Sequence, residues 1–182
     1  MSRIGNKPIS FSSEVQVRLE GNKVFIKGPK GELSFELPED IEVEINLEKK
    51  EMRVKRKSER KKVKALHGLY RALLANAVKG VIKPWEKKLE VVGTGYNVRL
   101  EGDKLVFKLG FSHPVIFKKP EGIEFQVEKN RVITVIGIDK QKVGEIAYKI
   151  KMLKKPDAYK GKGIRYLGEV IKLKPGKKAK VA

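Results

Sequence analysis

The sequence predicts an α+β fold of two tandem similar domains, each a small, mainly antiparallel sheet with one packed helix. Three observations predict it. Short alternating strand patterns recur at a nearly constant offset, each half ends in one amphipathic helix, and a stretch containing glycine and proline separates the halves. Drift of one or two residues over such a span is hard to obtain by chance, so the repeat indicates an internal duplication.

The first strands of each half flank a two-residue turn. Residues 20–23 read EGNK and residues 101–104 read EGDK, at an offset of 81. The flanking stretches are VQVRL and KVFIK in the first half, and YNVRL and KLVFK in the second. Gly-Asn and Gly-Asp tolerate positive φ where a ladder must reverse, so each stretch predicts a β-hairpin.

Two more strands follow in each half. LPEDIEVEI (37–45) matches KPEGIEFQV (119–127), and MRVKR (52–56) matches VITVI (132–136). The carboxylates of IEVEI alternate with apolar residues, which is typical of the solvent face of a strand and not of a catalytic cluster.

One helix then ends each repeat. The helices are predicted to start near Ser58 and near Asp139, because each is an N-cap residue type followed by apolar residues three and four apart. Gly80 and Pro84 are expected to end the first helix. The apolar positions are Val63, Leu66, Tyr70, Leu73 and Ala77 in the first helix, and Val143, Ile146, Ala147, Ile150 and Leu153 in the second.

The domain boundary is placed just after the first helix. The prediction is an N-terminal domain at residues 1–82, a C-terminal domain at 83–175 and a basic tail at 176–182. Only the second copy continues past its helix, into KKPDAYKGKGIRY (154–166) and the chain that follows. A duplicated fold can keep one copy as a scaffold while the other specialises, so the main binding surface is expected on the second domain.

Charge is the strongest functional signal. Lys and Arg total 42 against 22 Asp and Glu, a formal net charge of +20. Half of this excess lies from Lys149 onward, and residues 53–64 hold a second cluster of eight cations and one Glu. Such self-repulsion is expected where a polyanion neutralises it, so the charge predicts nucleic-acid binding. A membrane surface fits less well, because the basic stretches lack an adjacent apolar face.

Composition argues against several other classes. Without cysteine the chain has no disulfide, thiolate nucleophile or cysteine metal site. Its two histidines, His67 and His113, are interpreted as structural or surface residues. We therefore predict no catalytic residues, no metal, no cofactor and no small-molecule substrate. No apolar run is long enough to span a membrane, and MSRIGNKPIS lacks a signal-peptide core, so a cytosolic protein is expected.

Two glycine-containing stretches do not match nucleotide-binding motifs. A P-loop requires Ser or Thr after its Gly-Lys, whereas Lys162 is followed by Gly163. GTGYNV (93–98) has only the first two glycines of a dinucleotide fingerprint and leads into a strand. It is interpreted as a bulge or tight bend between strands.

The stretch at 154–166 fits anion binding better. Gly161 and Gly163 let the backbone approach a surface closely. Tyr159 and Tyr166 can stack on bases, although both could instead pack beneath the loop. Structured RNA is the expected partner, because no DNA-reading motif is present. The cations offered to phosphates are Lys154, Lys155, Lys160, Lys162 and Arg165.

Four stretches together resemble one family. PDAYKGKGIRY (156–166) closely resembles the C-terminal signature of the bacterial-type sixth ribosomal protein of the large subunit. MSRIGNKPI, HGLYRALLANAVKGV (67–81) and VVGTGYNV (91–98) are similar to the same family, as are the length and the two tandem modules. The chain departs at Asp157 and Ala158, where a Glu-Pro pair is common.

The resemblance implies a structural role on the large ribosomal subunit. It implies binding to 23S rRNA, chiefly through the C-terminal domain, near the stalk base and the sarcin–ricin region where translation factors dock. Neighbouring ribosomal proteins are further implied partners, and the role would be assembly and stabilisation of rRNA tertiary structure in the cytoplasm. The implied RNA contacts are Lys154, Lys155, Tyr159, Lys160, Gly161, Lys162, Gly163 and Arg165, with Lys177 and Lys178 from the tail and Gly93, Thr94, Gly95 and Tyr96 from a neighbouring loop.

Two alternatives remain open at this point. A nucleoid or DNA-compacting protein would also be small and very basic, and would bind any duplex with similar affinity. A nucleotide-dependent enzyme would bind ATP or GTP saturably and lose that binding on Lys162→Ala.

Overall fold

The computed structural model describes residues 4–176, and its elements follow the predicted repeat. The first repeat contains β1 (Ile9–Ser10), β2 (Gln16–Glu20), β3 (Lys23–Gly28), β4 (Gly31–Glu36), β5 (Ile41–Asn46), β6 (Glu51–Arg56) and α1 (Lys61–Ile82). The second contains β7 (Trp85–Val92), β8 (Asn97–Glu101), β9 (Lys104–Lys108), β10 (Val115–Lys118), β11 (Ile123–Glu128), β12 (Val132–Gly137), α2 (Lys140–Leu153) and β13 (Gly163–Tyr166). The α+β class and the duplication are confirmed.

The described chain divides into two compact units. The first unit comprises the chain up to Trp85 together with Ile138–Lys140, and the second comprises Glu86–Gly137 and the chain from Gln141 onward. The predicted boundary after residue 82 stays a prediction. Of the predicted tail, residues 177–182 lie outside the described residues. No helix within residues 4–176 is both long and apolar enough to cross a membrane.

In the first unit, α1 packs against two small sheets. One sheet has the strand order β2-β3-β4 and the other the order β1-β6-β5, and all four strand pairings are antiparallel. The core forms where the apolar face of α1 meets the inward residues of β3 and β6. Its fully buried side chains include Val24, Ile26, Met52, Leu74 and Val81.

The second unit repeats this plan with one addition. Its sheets have the orders β10-β9-β8 and β11-β12-β7-β13. β13 has no counterpart in the first repeat, and it pairs antiparallel with β7. Each unit thus divides its strands between two sheets, whereas the sequence predicted one sheet per domain. The second sheet was not predicted because pairings such as β1 with β6 join strands that are distant along the chain. The fully buried core includes Leu89, Leu105, Phe107, Ile133, Ile150 and Ile164.

Both predicted two-residue turns are confirmed. Glu20 pairs with Lys23 and Glu101 with Lys104, so two residues connect each pair of strands. Gly21 and Gly102 begin the turns with φ of 58° and 59°. Glycine with positive φ at the first central position suits the type II′ turn, whose twist matches that of the flanking strands.

The limits of α1 differ from those expected. The helix begins at Lys61 with Arg60 at the N-cap and no side-chain cap, while the buried Ser58 hydroxyl makes no hydrogen bond within the described residues. Gly80 does not end the helix. It lies inside α1, where a Cβ would collide with the Ile138 carbonyl oxygen of the same unit, so it is a close-packing glycine. The helix ends two residues later, just before Pro84.

Gly144→Ala is expected to stabilise the second unit. Gly144 is exposed in the middle of α2, and a Cβ there meets no atom within 4 Å. Alanine restricts the unfolded chain and favours the helix, so the free energy of unfolding should rise by about 0.5–1 kcal/mol. Urea unfolding followed by circular dichroism measures the change, and an unchanged or lowered midpoint contradicts the exposed helical position.

Candidate nucleic-acid interface

The pairing of β13 with β7 brings together two of the predicted RNA-contact segments. Gly163 pairs with Val92, so the residues before Gly163 lie beside those after Val92. We call residues 154–163 the basic loop and residues 93–96 the GTGY loop. Lys162 Nζ lies 3.5 Å from Thr94 Oγ1, within hydrogen-bonding distance of it. The GTGY loop is a tight bend between β7 and β8, as predicted, with a turn hydrogen bond from Tyr96 N–H to Gly93 O of 3.3 Å.

Asp157 organises the basic loop from within. Its Oδ2 accepts hydrogen bonds from the backbone N–H groups of Lys160 (2.7 Å) and Tyr159 (3.3 Å). Its own N–H donates to Lys162 O, and its carbonyl accepts from Gly161 N–H, both at 2.9 Å. This carboxylate is therefore engaged by backbone donors in the manner of an Asx turn, and it holds the loop in one shape.

The two glycines of the basic loop have different roles. Gly161 has φ of 69°, and a Cβ there would come no closer than 3.4 Å to Leu173. Gly163 is buried with φ of 152°, and its Cβ would lie 2.7 Å from Lys155 O and from Pro156 Cα. Gly163 therefore lies beneath the loop and lets β13 pass directly under the end of α2. Of the two, only Gly161 reaches the partly exposed surface.

The cations of the basic loop pair with no carboxylate among residues 4–176. Lys155 and Lys160 are exposed, and among the described residues neither makes an ion pair. Lys154 Nζ lies 4.3 Å from the centre of the Phe111 ring, a cation–π contact that leaves its charge uncompensated. Tyr159 is 59% exposed, which leaves its ring open to stack on a base. Lys177 and Lys178, also predicted as contacts, lie outside the described residues.

Arg165 and Tyr166, on β13, are already engaged. Arg165 donates from Nε and Nη2 to Glu90 Oε2, at 3.2 and 3.1 Å, across the β13–β7 pair. The half-buried Tyr166 ring has Lys87 Nζ at 4.7 Å and Lys151 Nζ at 4.6 Å from its centre. The alternative of packing therefore describes Tyr166, whereas Tyr159 is exposed.

Glu169→Gln is expected to weaken the support of β13. Lys151 hydrogen-bonds to both oxygens of Glu169 (2.6 and 2.8 Å), and with the Tyr166 N–H it holds the pKa of this carboxyl below its usual range. A lowered folded pKa gives stability above the unfolded pKa of about 4.3, lost as pH falls through the folded value. The substitution should therefore cost about 1 kcal/mol at pH 7 and much less near pH 3.

The measurement for Glu169→Gln is urea unfolding at both pH values. Glu86→Gln is the matched control, since Glu86 is exposed on β7 and makes no ion pair among the described residues. A deficit that stays constant from pH 7 to pH 3 would contradict a role for the charged carboxylate.

The second basic cluster, at residues 53–64, is partly neutralised by four carboxylates. Most of its cations pair with carboxylates on β5, on β6 or just before α1, and only Arg60, Lys61 and Lys62 make no ion pair among the described residues. The pairs, all within the first unit, are Arg53–Glu51, Lys55–Glu44, Lys57–Glu42, Arg56–Glu59 and Lys64–Glu59. Among the described residues, the four lysines of the basic loop make no ion pair, against three cations of this longer cluster.

The two histidines occupy the structural and surface positions expected. His67 is 2% exposed, and its Nδ1 lies 3.1 Å from Arg56 Nη1. Because arginine can only donate, Nδ1 accepts and Nε2–H donates to Val54 O at 2.9 Å. His113 is exposed in the β9–β10 connection. Within residues 4–176 no three His, Asp or Glu side chains cluster as metal ligands.

The connection between β9 and β10, residues 109–114, lies beside the interface, and this was not predicted from the sequence. Phe111 lies under Lys154, and Gly110 approaches Tyr96 so closely that an added Cβ would be 3.0 Å from its ring. The connection is six residues long, whereas β3 and β4 are joined by two. That difference between the two copies is the sequence signal that could have indicated it.

The duplicated α+β fold presents a lysine-rich loop, an arrangement suited to a basic nucleic-acid-binding protein. A sequence model of the family described as Ribosomal protein L6 matches residues 11–83 and 92–167, one segment in each repeat. The chain belongs to the ribosomal protein L6 family, which confirms the resemblance carried by PDAYKGKGIRY.

Relatives of similar length support the membership. The chain is 54% identical over 177 residues to the large ribosomal subunit protein uL6 of Syntrophomonas wolfei, covering 97% of this chain and 98% of the relative. It is 51% identical over 178 residues to uL6 of Persephonella marina, with the same coverage. To uL6 of Alkaliphilus metalliredigens it is 51% identical over 181 residues, covering 99% of this chain and 100% of the relative.

Proposed function

We propose that this chain is a structural constituent of the large ribosomal subunit and binds 23S rRNA mainly through its second unit. As a member of the ribosomal protein L6 family it is a ribosomal protein of the cytoplasm and not an enzyme. Its position would be near the stalk base and the sarcin–ricin region, where translation factors dock, beside neighbouring ribosomal proteins. Its role there is to stabilise rRNA tertiary structure and assembly.

The four lysines of the basic loop, which make no ion pair among the described residues, carry this proposal. In the first unit, five of the eight cations at residues 53–64 have carboxylate partners. In the basic loop, the one carboxylate is hydrogen-bonded to backbone N–H groups, and the lysines are left for an external anion. Phosphates are the anions that repeat along RNA, and exposed Lys side chains bind them as point charges.

The basic loop has one fixed shape in which it can bind both phosphates and bases. Lys155, Lys160 and Lys162 neutralise phosphates, and Gly161 lets the backbone approach them. Tyr159 can stack on an unpaired base. Thr94 and Gly95 lie exposed beside the basic loop and widen the surface. Because Asp157 fixes the loop before binding, little conformational entropy is lost on association.

Competition by duplex DNA tests this proposal. The full chain is bound to 23S rRNA at two salt concentrations, and a random-sequence duplex DNA is added in excess. The proposal predicts a fraction that DNA does not displace, protecting one discrete rRNA region from chemical cleavage. Equal displacement by DNA, with diffuse protection, would favour a DNA-compacting protein and overturn the assignment.

A further inference from the structure

A second surface in the second unit has the composition of a nucleotide site. The solvent face of the β8–β9–β10 sheet and the β9–β10 connection form an open groove of about 330 Å³. This volume is at the lower end of the range for small-ligand sites, roughly 300–1,000 Å³. We call it the β-face groove. Its lining includes Asn97, Arg99, Lys108, Phe111, Ser112 and His113.

The groove combines an open aromatic ring with unpaired positive charge. Phe111 is 43% exposed even though Lys154 lies over its ring. Arg99 and Lys108 are exposed, and neither makes an ion pair among the described residues. Of the described residues that line the groove, Glu101 is the only carboxylate. The groove is therefore positive, and its charge complements a phosphate.

The duplication provides an internal comparison. Arg18 on β2 occupies the position of Arg99, since VQVRLEGNK matches YNVRLEGDK. The equivalent first-unit sheet keeps this arginine but closes with the short Pro29-Lys30 turn, so it has no counterpart of Phe111 or His113. The longer connection, with its aromatic residue, is thus particular to the copy that carries the basic loop.

We propose that the β-face groove binds one unpaired nucleotide of RNA, with the base stacked on Phe111 and the flanking phosphates held by Arg99 and Lys108. The Asn97 amide and the Ser112 hydroxyl supply a donor and an acceptor for the base edge. A base in a helix has both faces covered by its neighbours, so only an unpaired base can stack on the ring. This inference rests on the proposed function, because it takes rRNA as the source of the nucleotide.

The test uses the full chain and a six-nucleotide single-stranded RNA with 2-aminopurine at its centre. Stacking on Phe111 quenches the fluorescence of this base analogue. Phe111→Leu should weaken binding roughly 5- to 150-fold, the effect of losing one stacked base, while Phe111→Tyr should keep it. Arg99→Gln should lower the slope of log affinity against log salt by about 0.7.

Matched controls separate the groove from general charge and from misfolding. Tyr148→Ala removes another exposed aromatic ring of the second unit, and Arg18→Gln removes the duplicate arginine; neither should change oligonucleotide binding. Retained affinity of Phe111→Tyr shows that the position tolerates substitution. The same oligonucleotide annealed into an RNA duplex should show no Phe111-dependent quenching.

Three results would overturn the inference. The first is equal affinity of Phe111→Leu and wild type for the oligonucleotide, and the second is equal quenching with paired and unpaired RNA. The third is that a deca-glutamate peptide displaces the oligonucleotide and that Phe111→Leu loses binding of this peptide. The last would identify an acidic protein segment as the occupant. If duplex DNA displaces 23S rRNA from the chain while Phe111-dependent quenching persists, the proposed ribosomal function is contradicted. The inference that the β-face groove binds an unpaired nucleotide then still holds.

Discussion

Alanine at Gly163 is expected to lower the free energy of unfolding of the second unit by about 2–4 kcal/mol. The backbone there has φ of 152°, which strains any side chain, and the added Cβ would overlap backbone atoms of Lys155 and Pro156. Backbone cannot move aside as a flexible side chain can. Relief would require β13 to separate from β7 or the basic loop to detach from the end of α2.

Hydrogen exchange of the full chain measures this effect in each unit. Amides of β7 and β13 should lose protection, while those of β5 and β6 should keep theirs. Gly161→Ala is the matched control, because its Cβ would contact only a Leu173 methyl group. Its left-handed backbone conformation should cost roughly 1–2 kcal/mol of stability with alanine. Equal protection in Gly163→Ala and wild type would contradict the close approach of the backbone.

Replacing Lys155 and Lys160 together by Gln is expected to produce the largest loss of RNA affinity. If each lysine neutralises one phosphate, the slope of log affinity against log salt should fall by about two. The loss should be similar across rRNA sequences, because phosphate contacts carry no sequence information. Filter binding to 23S rRNA between 50 and 200 mM salt, the range over which 6–10 phosphate contacts change affinity by about 10³–10⁵, measures the slope.

The control removes the same number of charges from the first unit. Lys55 and Lys57 pair with Glu44 and Glu42 on the neighbouring strand. Lys55→Gln with Lys57→Gln therefore gives the same net charge as the loop variant but removes already compensated cations. A clearly smaller change of slope is expected for this control. Equal slopes for the two double variants would mean that net charge alone governs binding.

Those elements of the fold that depend on neighbouring residues could be predicted from the sequence. The turns at Gly21 and Gly102 could be predicted, because glycine between two alternating strand patterns is typical of a two-residue hairpin turn. The division into two sheets was not, since it depends on pairings between distant strands. Ser58 resembled an N-cap, but α1 begins after Arg60. Gly80 resembled a helix stop, but tertiary packing places it inside the helix, where it admits the Ile138 carbonyl.

The site could be predicted only in part, for a similar reason. The lysines and glycines of the basic loop are contiguous in sequence, so composition and family resemblance located them together. The pairing of Lys55 with Glu44 and of Lys57 with Glu42 was hidden, because it depends on the register of β5 against β6. The contact between Lys154 and Phe111 joins residues 43 positions apart, and no local pattern indicates it.

Directed cleavage of rRNA from a single cysteine tests whether the chain recognises 23S rRNA through its second unit. The chain contains no cysteine, so Thr94→Cys and Ser34→Cys each provide one attachment point for an iron chelate that generates hydroxyl radicals. Both positions are exposed, one beside the basic loop and one on β4 of the first unit. Bound to 23S rRNA, the Thr94→Cys conjugate should cut one discrete region strongly, and the Ser34→Cys conjugate should cut it weakly. Stronger cutting from Ser34→Cys, or diffuse cutting from both, would contradict recognition through the second unit.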